Sequence, residues 1–460
     1  MFVSSMRGAF LRLCLGVWGL VCVGLCGCPS RTLTNAEVEG MSMAPALWGE
    51  HLSTTCGECG FPYQCDARSL ESTNTSICPN CGFTGNAREH HRVEPAQRYI
   101  VETDFGRLQR WDVVAFHYPA ETPRAGQQGV KRVVGLPGET ISIRDGIIWN
   151  QEGPIKMFWE QIQATMIPVF DSRYSPPASA KLPSRFRPQR ERSGWKQGGN
   201  SWSFRPLPVI ANELDTISYE HWRCCRHTGE RTQVVPIEDY HPGDQSLFFQ
   251  PQLVKQLYVA IELEMSEQAF FQAAIIRPNG TWKVQVQGST SQVLVNFDGR
   301  EAAAARIDPG TMKNGLLEIS TIGGTLHALW NGKKLGGPWD DFIIKNVLPN
   351  DSQNSTSVNS ADVPTSEGSQ TDSPDGSQGA AIVIGASHGP VLVRRIRICR
   401  GIHYRDEMNP DGSIREYPLG QDEYLVIGDN VNNSVDSRTW NPHGLTKRSI
   451  FGTVKPIVRP

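Results

Sequence analysis

The sequence predicts a mainly β, multidomain protein that follows one N-terminal membrane helix. Short apolar runs alternate with polar residues over 98–153 and 256–345, and Gly, Pro or Asp bound most of them, which is typical of strands joined by tight turns. Long helical periodicity is nearly absent after residue 28. Glycine (44) and proline (31) together make up roughly 16% of the 460 residues, against a usual ~12%. The length predicts two to four domains.

The charge balance excludes some classes of protein. Lys and Arg number 45 and Asp and Glu 47, so the net charge of −2 argues against a nucleic-acid binder, which usually carries a basic surplus. Only one apolar run is long enough to cross a bilayer, which argues against a multi-pass membrane protein.

The N-terminus is predicted to be a cytoplasmic tip (1–8) followed by a transmembrane anchor (9–28). Arg7 precedes the anchor and Arg12 lies near its start, and these positive charges favour a cytoplasmic N-terminus, with the rest of the chain on the outer face of the membrane. A cleaved signal peptide is one alternative. Lipid attachment at Cys28 is another, since Leu25-Cys26-Gly27-Cys28 is similar to a lipobox. All three interpretations export the remaining chain.

A cysteine cluster follows at residues 56–91. It contains two C-x2-C pairs separated by eighteen residues: Cys56, Cys59, Cys78 and Cys81. This spacing predicts a zinc ribbon with four thiolates around a structural Zn²⁺, and the Gly after each pair permits the tight turn at the metal. Disulfides are the alternative, because an exported domain meets an oxidising compartment. Cys65 stays unpaired, and His90 and His91 are interpreted as a solvated turn rather than as ligands.

Three separated segments carry candidate catalytic residues. Ser42 lies in GMSMAP (40–45), Lys131 in VKRVVGLPG (130–138), and the third segment reads GDNVNNSVDSR (428–438). A serine hydroxyl is a weak nucleophile that needs a base, and these segments contain no histidine. A neutral lysine serves instead if burial among valines lowers its pKa from about 10.4 by roughly 3–5 units.

Together, and in this order, the segments resemble the signal peptidase I family of membrane-bound serine proteases. Arg110–Phe116 (RWDVVAF) adds to the resemblance, which covers about a third of the chain, over 30–55, 95–150 and 420–460. The resemblance implies a β catalytic core, with the ribbon inserted into it. It also implies an endopeptidase that removes N-terminal signal peptides through an acyl-enzyme and needs no cofactor for catalysis.

The resemblance also implies residue roles. Ser42 is the nucleophile, Lys131 the general base and Ser434 the hydroxyl that orients the lysine, while Asp436 and Arg438 form a supporting ion pair. The Ser42 N–H is the expected oxyanion donor. Some members add a hydroxyl where this chain has Gly40, so either a backbone group replaces it or the oxyanion hole has one donor fewer.

The implied partners are secretory precursors and the lipid bilayer. Small residues at positions −1 and −3 of the signal peptide, in an Ala-x-Ala pattern, mark the cleavage site, and the peptide docks as an added strand. Leu47 and Trp48 either dip into lipid or pack in the core. The alternative function is a catalytically inactive envelope scaffold that binds through the ribbon and the large insert.

The domain plan splits the catalytic core into residues 29–55, 92–153 and 401–460. Residues 154–225 are predicted to be a linker or extended arm, and 226–400 a β-sandwich that resembles the concanavalin kind and contains a disordered tract at 349–379. Asn331-Gly332 predicts a two-residue hairpin turn. Three tryptophans are predicted to lie in the sandwich core rather than to bind sugar: Trp282, Trp330 and Trp339.

Overall fold

The computed structural model describes residues 33–70, 74–208, 213–224, 230–241, 250–278, 280–335, 381–405 and 407–456. This part of the chain is mainly β, as predicted. None of its helices is long and apolar enough to cross a membrane. The predicted anchor at 9–28, the predicted disordered tract at 349–379 and Trp339 lie outside the described residues.

The segments predicted to form the catalytic core fold into two sheets, with strands numbered in chain order. The first is antiparallel and runs β1 (Leu33–Glu37), β7 (Arg98–Glu102), β31 (Ile450–Pro456), β8 (Val113–His117), β9 (Gln128–Gly135), β29 (Glu423–Ile427) and β30 (Leu445–Thr446). The second runs β12 (Gly153–Pro154), β11 (Ile147–Asn150), β10 (Thr140–Arg144) and β28 (Glu416–Pro418). Strands from three distant segments alternate in these sheets, which brings the candidate catalytic segments together.

The cysteine-containing segment forms a small β unit, here called the ribbon. Its sheets are β3 (Pro62–Asp66), β2 (His51–Thr55) and β6 (Arg92–Glu94), and β4 (Thr75–Ser76) with β5 (Asn86–Ala87). Two 3-10 turns, Ala67–Leu70 and Arg88–His90, lie between strands. Because β2 pairs with β3 and β6, residues 51–55 belong structurally to the ribbon, a few residues before the predicted boundary at residue 56.

The large insert is a sandwich of two antiparallel sheets. One runs β15 (Trp195–Gly198), β16 (Ser201–Phe204), β27 (Val391–Arg400), β18 (Leu257–Met265), β23 (Gly315–Ser320), β24 (His327–Trp330) and β25 (Lys333–Lys334), and β13 (Ile167–Asp171) also pairs with β27. The other runs β14 (Phe186–Pro188), β17 (Asp215–Tyr219), β26 (Ala381–Ser387), β19 (Phe270–Arg277), β20 (Gly280–Gln287), β21 (Gln292–Phe297) and β22 (Arg300–Arg306). Both sheets contribute to one hydrophobic core, in which Trp282 and Trp330 are buried.

The linker predicted over 154–225 is wrong, because β13 to β17 lie in this range and pair into the sandwich. Isolated aromatic side chains anchor these short strands. Phe186, Trp202 and Phe204 are buried in the sandwich core although their neighbours are mostly polar and exposed. The Pro-, Arg- and Ser-rich composition hid β14 to β17, which each bury only one or two side chains, whereas β13 buries four.

The remaining elements are short. The described residues contain one α-helix, α1 (Trp159–Ala164), and further 3-10 turns at Ala178–Ala180, Pro309–Asn314, Ile322–Gly324, Val431–Asn433 and Lys447–Ser449. The hairpin prediction is confirmed, since Asn331 and Gly332 have φ values of +49° and +75° between β24 and β25. Leu47 and Trp48 are buried in the protein core, the second of the two interpretations.

Candidate functional site

The structure brings Ser42 and Lys131 into contact. Ser42 lies in the loop that follows β1, and Lys131 lies in the middle of β9. Lys131 Nζ is 2.8 Å from Ser42 Oγ and 3.0 Å from the Val130 carbonyl oxygen. The lysine is 2% exposed whereas Ser42 is half-buried, so the serine is the more accessible of the two residues.

Burial changes the acidity of the Lys131 amine. Desolvation disfavours the ammonium form and lowers the pKa to about 8, although the carboxylates of Asp436 and Asp429 act in the opposite direction. A substantial fraction of the amine is therefore neutral near pH 8, and a neutral amine accepts the proton of a hydroxyl within hydrogen-bond reach.

Backbone hydrogen bonds hold the Ser42 loop against the third segment. The Asn430 N–H donates to the Ser42 carbonyl oxygen over 3.0 Å, and the Gly49 N–H donates to Gly40 over 3.1 Å. Gly40 has a φ of +74°, a conformation that favours glycine. Among the described residues, the Ser42 N–H has no hydrogen-bond partner, so it is free to donate to a ligand at the hydroxyl.

Ser434 lies beside the pair but does not contact the lysine. Its Oγ is buried and has no hydrogen-bond partner among the described residues. A Cβ built on Gly428 would lie 2.3 Å from Ser434 Oγ and 2.4 Å from the Ser42 carbonyl oxygen, so only glycine fits between them. The structure therefore places Ser434 at the site without the hydrogen bond to Lys131 that the family resemblance implies.

Asp436 and Arg438 form the buried ion pair expected from the resemblance. Arg438 Nε donates to Asp436 Oδ1 over 2.8 Å, and its Nη2 donates to the other carboxylate oxygen over 2.9 Å. Asp436 also accepts the Gly428 N–H over 3.1 Å. The pair thus fixes the turn that carries Gly428 beside Ser42.

A second buried ion pair was missed by the sequence reasoning. Arg132 Nε and Nη2 donate to the two carboxylate oxygens of Asp429 over 2.7 and 2.6 Å, and Arg132 Nη1 donates to the Trp111 carbonyl over 2.9 Å. Arg132 directly follows Lys131, and Asp429 precedes Asn430, which holds Ser42. The pair therefore joins β9, which carries the candidate base, to the turn that holds the candidate nucleophile.

The four ribbon cysteines form a compact sulfur cluster. Cys56 Sγ is 3.7 Å from Cys81 Sγ, Cys59 Sγ is 3.7 Å from Cys78 Sγ, and all four sulfurs lie within 4.8 Å of one another. A tetrahedron with Zn–S bonds of about 2.3 Å has S···S edges of about 3.8 Å. The cluster is therefore compatible with a structural zinc site, and every described cysteine is a free thiol.

Two similar turns build this cluster. The Gly60 N–H donates to Cys56 O and the Gly82 N–H to Cys78 O, and both glycines have φ near +75°. The prediction of tight glycine turns is confirmed. His90 and His91 lie in or beside a 3-10 turn outside the sulfur cluster; His90 is exposed, whereas His91 is half-buried and bonded to Ser76 Oγ and the Ala87 carbonyl.

Zinc binding has a direct test. We expect the purified chain to contain about one Zn²⁺ per molecule, because four thiolates satisfy a tetrahedral ion. Cys78→Ser should lose the metal and raise the protease sensitivity of the ribbon, whereas Cys65→Ser, which alters a buried cysteine outside the cluster, should retain it. Elemental analysis measures the bound metal, and limited proteolysis measures the sensitivity of the ribbon. Two disulfides, detected by thiol titration, in a chain without zinc would contradict the prediction.

Part of the chain matches a known protein family. Residues 81–182 match the family model described as signal peptidase, peptidase S26, and this segment contains Lys131. The match supports a signal peptidase function in general. No curated protein matches the chain.

Solved structures with some likeness to the chain include carbohydrate-binding proteins and glucanases. A carbohydrate-binding module, CBM66, from Bacillus subtilis is 7% identical, over 47% of this chain and 95% of that one (TM-score 0.25). The laminarinase of Rhodothermus marinus is 7% identical, over 45% and 81% (TM-score 0.28). A Bacillus subtilis protein of unknown function with a galectin-like fold is 7% identical, over 52% and 98% (TM-score 0.29).

Proposed function

We propose that the chain is a membrane-anchored serine endopeptidase that removes N-terminal signal peptides from exported precursors through a Ser42–Lys131 dyad. The observation that carries the proposal is the 2.8 Å contact between Lys131 Nζ and Ser42 Oγ at a buried lysine. The family match over 81–182 supports it. The inactive-scaffold alternative gains no support from the site, because both dyad residues are present and in contact.

The dyad acts in two steps. Neutral Lys131 accepts the Ser42 proton while Oγ attacks the scissile carbonyl carbon. The C–N bond then breaks, the leaving amine takes the proton from Lys131, and the signal peptide remains as an ester on Ser42. A water molecule, deprotonated by the same amine, hydrolyses this ester and restores the serine.

Charge develops on the carbonyl oxygen in both steps. The Ser42 N–H, which has no partner among the described residues, is the proposed donor to this oxyanion. Gly40 offers no hydroxyl, so a second donor has to come from another group. Ser434 Oγ is buried, has no hydrogen-bond partner in the described part of the chain and lies close to the Ser42 backbone; its proposed role remains to orient the lysine once substrate has bound.

The proposal includes a place and a substrate class. The anchor at 9–28 holds the chain in the cytoplasmic membrane with the catalytic core on the outer face, and the structural zinc stabilises the ribbon. The substrates are secretory precursors with small residues at −1 and −3.

Cleavage of a defined precursor tests the proposal. The detergent-solubilised chain should cut a precursor once, after its Ala-x-Ala site, and Phe at −1 should lower kcat/KM at least about 100-fold because a bulky side chain displaces the scissile bond. Ser42→Ala should abolish cleavage, and the control Ser203→Ala, an exposed serine on β16, should not. Mass spectrometry of the products measures the cut. Binding of the precursor without cleavage would favour the scaffold alternative.

A further inference from the structure

A groove of about 810 Å³ lies between the Ser42 loop, the ribbon and the edge of the sandwich. Its lining includes Pro45 and Trp48 of the loop, Tyr63 and Gln64 of the ribbon, and Pro168 of β13. Its volume falls in the range of about 300–1,000 Å³ that is usual for ligand pockets. Residues of the ribbon and of the sandwich edge make up most of this lining, and Pro45 connects the groove to the segment that carries Ser42.

We propose that this groove binds the polypeptide on the leaving-group side of the cleaved bond, which is the start of the mature protein, in an extended conformation. The inference rests on the proposed function and extends it, because it gives the two insertions a role in substrate selection.

Continuity with the candidate nucleophile is the first argument. Pro45 lies three residues after Ser42, so their Cα atoms are at most about 11 Å apart. An extended chain covers this distance with three or four residues, at about 3.3 Å per residue. A substrate whose scissile bond lies at Ser42 therefore reaches the groove within its first few residues beyond the bond.

Open strand edges in the lining are the second argument. Among the described residues, β3 pairs only with β2 and β13 pairs only with β27, so each has one open edge. Pro62 opens β3 and Pro168 lies in β13, and proline is confined to such edges because it has no N–H to donate to a neighbouring strand. An extended peptide adds to open edges through its main chain and so needs no particular sequence.

The composition of the lining is the third argument. Proline and aromatic rings occur together with hydroxyl and amide groups, among them Ser53, Thr54 and Gln64, and none of the described residues that line the groove carries a carboxylate. Such a surface offers hydrogen bonds along with apolar contact. It fits the mixed sequence of a mature protein, whereas the apolar core of a signal peptide would leave these polar groups without partners.

Substrate length tests the inference. Two precursors share one signal segment and carry about two or about twelve residues after the cleavage site, the longer stretch spanning ~40 Å when extended. We expect the longer precursor to have a kcat/KM about tenfold higher, since burial of one or two side chains supplies this much. Gln64→Trp and Pro168→Trp should remove the gain and leave cleavage of the short precursor unchanged. Val93→Trp, at a 58% exposed position of β6 outside the groove, is the matched control and should keep it.

The outcomes separate this inference from the proposed function. If the short precursor is cut but length has no effect, or if both groove variants keep the gain, the groove assignment is overturned and the peptidase stands. If nothing is cut, binding decides: a fluorescein-labelled twelve-residue mature peptide should bind the full-length Ser42→Ala chain, and Gln64→Trp in that chain should weaken Kd about tenfold. Equal Kd values for the Ser42→Ala chain with and without Gln64→Trp would overturn the groove assignment. Displacement of the labelled peptide by a signal-segment peptide would overturn it as well.

Discussion

Lys131→Met is expected to lower kcat at least about 10⁴-fold, because it removes the only group that contacts Ser42 Oγ among the described residues and can accept its proton. The wild-type kcat/KM should rise with pH through an apparent pKa of about 8, since only the neutral amine of Lys131 is a base. Lys131→Arg should be equally inactive, because a guanidinium stays protonated throughout this range.

Lys131→Met is also expected to stabilise the fold. Burial lowers the Lys131 pKa from 10.5 to about 8, so the folded chain binds fewer protons than the unfolded chain between these values. Wild-type stability therefore rises with pH from about 8 to about 10.5, and at pH 7 the buried ammonium costs on the order of 3 kcal/mol. Methionine has a similar length and no charge, so Lys131→Met should have a higher Tm than the wild type at pH 7. The stability of this variant should not rise with pH between about 8 and 10.5.

Activity and thermal unfolding, measured side by side from pH 6 to 10, check the prediction. Lys196→Met, at an exposed lysine on β15, is the control and should change neither property. A variant that is both inactive and less stable would indicate a structural role for Lys131. Cleavage that survives the substitution would refute the dyad.

The contact between Ser42 and Lys131 could be predicted from the sequence because these residues lie in short segments whose order and composition carry the family resemblance. Arg132 and Asp429 lie in the same segments, yet their pairing could not be predicted. They are 297 positions apart, and only the pairing of β9 with β29 brings them together. A charged residue beside a candidate base also occurs in any solvated strand, so its type alone does not indicate burial.

In the sandwich, some strands could be predicted from the sequence and others could not. Its central strands, such as β18 and β20, alternate clearly and could be predicted, whereas β14 and β16 are three or four residues long and lie in polar sequence. Their stability comes from neighbours distant in the chain, since Phe204 pairs with Val391 and Phe186 with Tyr219. Tertiary packing decides such strands, and local pattern does not reveal it.

Asp429→Asn is expected to lower the free energy of unfolding by about 3–5 kcal/mol, because it leaves the Arg132 guanidinium charged and buried without its carboxylate. Both residues are at most 5% exposed, so water cannot take the place of the lost partner. We also expect kcat to fall, since Asn430 next to Asp429 holds the Ser42 carbonyl through its N–H. Glu213→Gln, which breaks the exposed Arg190–Glu213 pair, should cost less than about 1 kcal/mol.

Urea unfolding of the single variant and of Asp429→Leu with Arg132→Met separates charge from packing. The double variant removes both charges, so it should recover most of the lost stability. If it also recovers activity, the pair serves only to hold the fold. If stability returns and kcat stays low, the two bonds from Arg132 to Asp429 also set the distance between β9 and the Asn430 turn, and so the approach of Lys131 to Ser42. Equal stability of Asp429→Asn and the wild type would refute the buried pair itself.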